Sequence, residues 1–273
     1  MHETNYGKYA VPELLLRLVE LNSRLKAEGL LMYGDLLGLY FALEPVEARY
    51  LNTPVDVIPF ARPGGDGIHF GFLTDFDTLA SLDDAYIVRV EPMNFDDPVK
   101  IVARNLGDFV GLMCGYAYAV ELLDMTSDDS AIAKCLADSK DYLEEHQEVL
   151  AVCAEELEPM FTRIESLGPY FEKLQALRSA QVVVETDDGI GVVKTGNVEC
   201  GQHDKFALER DSQPDLNAVK RYFEQVPIEY KLSFVRDAQS YGILFNEYNL
   251  KEWVVEELRR LGFETEALRL QVS

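Results

Sequence analysis

The chain has no run of 18 or more apolar residues, which argues against a membrane-spanning helix. It has no basic run either. With 25 Lys and Arg against 48 Asp and Glu, its formal net charge is −23. A nucleic-acid binder needs clustered cations to displace counterions from phosphate, and an anionic membrane surface needs them too. Both partner classes are therefore not expected. The four cysteines, Cys114, Cys135, Cys153 and Cys200, form no C-x-x-C pair, and reduced thiols in a cytoplasmic protein are expected. The first residues lack a basic stretch followed by an apolar one, so no secretory signal is expected. Neither Gly-x-Ser-x-Gly nor His-Glu-x-x-His occurs. No catalytic residue, metal or cofactor is therefore assigned from sequence.

What is present is a 273-residue chain that is 48% hydrophobic, enough apolar material for a sizeable core. The most informative stretch is Thr53–Phe76, TPVDVIPFARPGGDGIHFGFLTDF. Two alternating runs, Val55–Arg62 and Ile68–Thr74, flank a Gly-rich turn and predict a β-hairpin. Ile58 and Phe60 form one inward set, and Ile68, Phe70 and Phe72 the other. His69 alternates to the outer face. A tight turn here needs a positive φ at Gly65 or Gly67. Ala85–Val90 and Val99–Arg104 are two further strands, and one-sided alternation predicts a sheet covered on one face by helices.

Glu13–Glu28 and Asp108–Asp124 carry apolar residues at helical spacing and should lie on that sheet. Gly34–Leu43 reads equally as helix or strand. Ser127, Asp128 and Asp129 offer helix caps. A heptad-like series then follows: Leu136, Leu143, Leu150, Leu157, Ile164, Phe171. Pro159 and Gly168-Pro169 interrupt it, predicting a kinked helix or helical hairpin packed on its own protein. A homo-oligomer through the 129–178 region is the alternative. Asp187-Asp188-Gly189 between Val-rich runs, Gln181–Glu185 and Ile190–Lys194, marks a second hairpin. Leu216–Gln225, Glu229–Ser240 and Leu250–Leu261 read as helices. The fold class is α+β: a mixed or antiparallel sheet backed by helices, then a mainly helical extension with one hairpin. The organisation reads as 1–124, 125–180 and 181–273.

The hairpin, with Val57–Ala61, Gly65-Asp66-Gly67 and His69–Phe72, leads through AYIVRVEPMNFDDPVKIVARNLGDFVGLM to a strand and an Asp-Phe helix. This pattern resembles the SUKH superfamily, which includes yeast cell-wall regulators and many bacterial immunity proteins. The resemblance covers residues 13–123. It implies a protein-binding, non-enzymatic α+β domain, typically one that neutralises a toxin. Many such toxins are basic nucleases, and an acidic surface suits a basic partner. The alternative is a small-molecule-binding regulator or hydrolase. The candidate partner-binding residues are Asp66, His69, Asp75, Asp77, Asp83 and Asp84. Charge reversal of Asp75, Asp77, Asp83 and Asp84 should then mimic high salt.

Overall fold

A computed structural model describes residues 6–31, 35–43, 49–116, 128–138, 140–196, 200–210 and 212–272. The protein is an α+β fold with a five-stranded antiparallel sheet, a two-stranded hairpin and a helical C-terminal region. Helix α1 (Glu13–Ala27) begins after Pro12 and buries Leu14, Leu15, Leu18, Leu21 and Leu25. The sheet runs in chain order: β1 (Tyr40–Phe41), β2 (Val57–Arg62), β3 (His69–Leu73), β4 (Tyr86–Val90) and β5 (Val99–Ala103). The undecided Gly34–Leu43 stretch thus supplies a short edge strand at its end. Helix α2 (Leu106–Gly115) follows β5, capped by Asn105, whose side chain accepts from the Asp108 amide. The predicted extension of this helix to Asp124 falls outside the described residues, as does Ser127.

The heptad-like region is broken into α3 (Asp129–Asp138), α4 (Lys140–Glu145), α5 (Gln147–Leu157) and α6 (Leu167–Gln181). Asp128 caps α3 through the amides of Ser130 and Ala131. Pro159 sits in a 3-10 turn over Glu158–Met160, while Pro169 is accommodated in the first turn of α6. Of the heptad-like series Leu157 and Phe171 join the core of the sheet, together with Val149, Cys153, Leu167 and Leu174 from the same helices. In Cys153, burial pushes the thiol up to about 12. It behaves as a small apolar side chain.

Phe60 and Phe72 lie 4.6 Å apart between ring centroids, and Phe109 of α2 meets Phe60 edge-on and Phe70 at 5.0 Å. This face holds Ile58, Phe60, Phe70 and Phe72 of the predicted inward sets, whereas Ile68 is only half-buried and lies outside the core. The expectation of a one-sided sheet fails, because every residue of β3 and β4 is buried. On the opposite face Tyr86 donates to Gln181 of α6, and Ile190 joins the same core. Cover for that face comes from residues about 100 positions away, which strand periodicity cannot report.

The hairpin β6 (Val182–Val184) and β7 (Val192–Val193) leads to α7 (Leu216–Gln225), α8 (Ile228–Ser240), α9 (Ile243–Asn246), α10 (Tyr248–Arg260) and α11 (Glu264–Val272). These helices enclose a second apolar cluster, which also takes in Val55 and Phe76 from the sheet region. Both cores therefore cross the boundaries read near residues 124 and 180. No helix among the described residues is long and apolar enough to cross a membrane.

Candidate functional site

In an antiparallel sheet, alternate turns lie at one end. His69 pairs with Val90, and Val90 with Val99, so the 63–68 turn and the 91–98 loop share an end. Tyr40 of β1 pairs with Arg62 at that same end. The 49–53 loop is tied in through His69. The Nδ1 of His69 lies 2.8 Å from the Gly67 carbonyl, which can only accept, so Nδ1 carries the proton. Nε2 then accepts from Thr53 Oγ1 at 3.1 Å, and Thr53 Oγ1 accepts from the Tyr50 amide. Burial lowers the His69 pKa to about 4, and Arg49 pushes in the same direction. The imidazole is neutral at pH 7 with both nitrogens engaged.

Tyr50 stacks on His69 with centroids 5.9 Å apart. A cavity of about 320 Å³ opens here, bounded by Tyr40, Tyr50, Arg62 and the turn glycines, with His69 at its base. Asn52 donates to the Pro92 carbonyl at 3.1 Å and draws the 91–98 loop beside it. On the two loops at this end of the sheet Tyr50 (43%), Leu51 (44%), Met93 (65%) and Phe95 (60%) are exposed. Asp66 is exposed on the turn, and Asp96 and Asp97 carry acid on the neighbouring loop.

Gly67 holds φ +73, whereas Gly65 is not left-handed and Gly64 is, at φ +99. A Cβ on Gly67 would come 2.5 Å from the Tyr50 ring, while one on Gly65 meets nothing within 4 Å. Gly67→Val should therefore lower stability by roughly 1 kcal/mol or more, and Gly65→Val should leave it nearly unchanged. Equal losses at both sites in thermal denaturation would refute this reading of the turn.

The six sequence candidates separate. Asp66 lies at the cavity end. Asp83 and Asp84 are exposed in a 3-10 turn between β3 and β4, at the other end of the sheet. His69 is buried instead of outward, because the second face of the sheet is covered. Asp75 is buried too, in a two-pronged ion pair with Arg178 at 2.8 and 2.9 Å. Asp77 is half-buried, and the ammonium of Lys8 donates to its carbonyl. Asp75, Phe76 and Asp77 hold φ of 48, 54 and 60 in succession. A left-handed non-glycine residue costs about 1–2 kcal/mol. Here the turn is held by Arg178 on Asp75 and by Phe76, which packs edge-on to Phe263 beneath the Arg236 guanidinium.

Sequence reasoning missed the ionic seam that this turn enters. Arg236 reaches Asp56 at 2.5 Å and Asp188 at 3.6 Å, with side chains 0–2% exposed. Gln239 receives the Val55 amide and donates to the Thr53 carbonyl. Arg269 donates to the Val55 carbonyl and to Glu266, both at the buried face of α11. Burial raises the Glu266 pKa to about 7, with Arg269 opposing and Asp77 assisting. The only available signal was a flaw in amphipathicity: α8 is buried at ten of the eleven positions from Glu229 to Gln239, all but Lys231. Among the described residues, no group of three or more His, Cys, Asp or Glu converges to hold a metal ion. No protein-family model matches the chain, and no curated protein is significantly similar to it.

Proposed function

We propose that the chain is a SUKH-type protein-binding module whose partner is a basic protein, as for an immunity protein that neutralises a basic toxin such as a nuclease. The observation that carries this reading is the sheet end, where Tyr50 lines a concavity, Leu51, Met93 and Phe95 are exposed on the 49–53 and 91–98 loops, and Asp66, Asp96 and Asp97 lie on the turn and loop at the same end. Tyr and Met are enriched, and charge is depleted, at the centre of protein interfaces, with polar groups at the rim. The charge distribution supports the same partner class. Among the described residues Arg89, Arg178, Arg236 and Arg269 are buried, as are seven carboxylates: Asp56, Asp75, Asp188, Glu229, Asp237, Glu257 and Glu266. Burial therefore withdraws a formal net charge of only −3 from the surface of the described residues.

The test is association kinetics of the partner captured from the native cell, across a salt series. Exposed charges are screened beyond about 8 Å at physiological ionic strength, so association should slow steeply as salt rises. Since Asp75 is buried and locked to Arg178, charge reversal belongs on the exposed acids Asp66, Asp96 and Asp97, the last two making surface ion pairs with Arg210 and Lys100, and this triple variant should mimic high salt while remaining folded. Met93→Ala with Phe95→Ala should instead speed dissociation. A partner whose kinetics ignore the salt, the triple reversal and the double truncation would overturn the assignment.

A further inference from the structure

The cavity at the sheet end has a chemistry of its own, opposite in sign to the chain around it. Arg62 lines it and is exposed, and it makes no side-chain hydrogen bond or ion pair among the described residues. The buried arginines behave differently: Arg178 and Arg236 each face carboxylates. The amides of Gly64, Gly65 and Gly67 likewise make no hydrogen bond among the described residues. The φ values alternate in sign over the first part of this turn, positive at Gly64, not at Gly65, positive at Asp66, and stay positive at Gly67. Successive amides in such alternation form a concavity suited to an anion. His69 at the base is neutral and adds no charge. Asp66 does not line the cavity.

Two tyrosines supply the walls. Gly64 lies where a Cβ would stand 3.0 Å from the Tyr40 ring, and Gly67 where one would stand 2.5 Å from that of Tyr50. Glycine at these positions lets both rings settle against the turn. The volume of about 320 Å³ is at the lower end of ligand-sized clefts. An aromatic-walled cleft with a guanidinium and free amides matches a planar ring bearing a carboxylate or phosphate, because arginine pairs with both through two parallel hydrogen bonds.

We infer that this cleft is an anion-binding site for a small planar ring carrying a carboxylate or phosphate, with a nucleoside monophosphate as the largest class it admits. This goes beyond the docking reading and does not depend on it, since binding is read on the free chain. A protein of charge −23 repels free anions in general. Saturable anion binding therefore reports a local site.

The experiment is isothermal titration of the full chain with adenosine monophosphate, uridine monophosphate and benzoate, alongside adenosine, benzamide and inorganic phosphate. At least one ring-bearing anion should saturate with a Kd below about 1 mM. A phosphate-only or carboxylate-only response identifies the source of the anion. The neutral parent should bind at least about tenfold more weakly, and Arg62→Gln should weaken the anion by about tenfold or more, as expected for loss of a charged hydrogen-bonding partner. Arg62 is exposed, so this variant folds, and an unchanged melting curve verifies it. Tyr50→Leu should weaken the ring-bearing anions more than inorganic phosphate. No saturation by any ring-bearing anion at about 5 mM, an affinity unchanged by Arg62→Gln, or adenosine binding as tightly as its monophosphate would each overturn the inference.

Discussion

Replacement of Arg236 by methionine is expected to lower the unfolding free energy by roughly 3–5 kcal/mol, the cost of leaving a buried charge without its partner. The guanidinium is fully buried, 2.5 Å from Asp56 and 3.6 Å from Asp188. Burial works against its charge, but Asp56, Asp188 and Asp75 outweigh burial and hold it more basic than an ordinary arginine. Methionine retains much of the volume and some contact with Phe76, so the loss measures electrostatics more than a cavity. The pair itself need not be strongly stabilising, since desolvation offsets most of its attraction. Arg236→Met with Asp56→Asn should accordingly recover part of the loss, and this coupling is the decisive quantity. Urea denaturation of the four proteins measures it. A single variant within about 1 kcal/mol of the parent would show that solvent already reaches this seam.

Glu266 predicts a pH dependence of unusual sign. Burial holds its pKa at about 7, against an ordinary 4.5. The groups facing it are Arg269, which opposes the rise, Asp77 and Asp56, which add to it, and Tyr9 across the seam. Below pH 4.5 both folded and unfolded chains keep the proton, and the group costs nothing. Between 4.5 and 7 the unfolded chain ionises while the folded one does not, so stability falls as pH rises. Above 7 the full penalty, about 3 kcal/mol, is in place. Glu266→Gln should therefore be more stable than the parent by about that amount at pH 8 and equal to it near pH 4.5. His69 runs the other way. Its pKa of about 4 means that stability is lost as pH falls from 6.5 towards 4. The two slopes oppose each other between pH 4.5 and 6.5, so the parent alone is a poor probe. Asp237, raised to about 6 mainly by burial, follows Glu266 in sign and cancels in the difference between variant and parent. A difference that does not change with pH would refute the assignment.

Read from the sequence, the elements with strong local signals were placed almost to the residue. Leu216–Gln225 is helical over that span, and the two runs around the Gly-rich turn are strands within two residues. Each is decided by neighbours in the chain: alternation for a strand, three-to-four spacing for a helix, glycine for a left-handed turn. The acidic balance was equally legible, because it is a sum over residues.

Which acids face solvent was not legible. Asp75 and Asp66 stand nine positions apart in similar loops, yet one is buried and the other exposed. The difference is Arg178, 103 residues from Asp75, just as Arg236 is 180 residues from Asp56. The candidate site has the same origin. Tyr40, Tyr50, Arg62, Met93 and Phe95 belong to four separate stretches, none with a motif, and meet only because antiparallel pairing brings alternate turns to one end of a sheet. Burial of a charge or the walls of a cleft depend on what arrives from elsewhere in the chain, so they are properties of the packed molecule: periodicity determined the elements of this protein, and tertiary structure alone decided which of its charges and aromatic rings remained exposed.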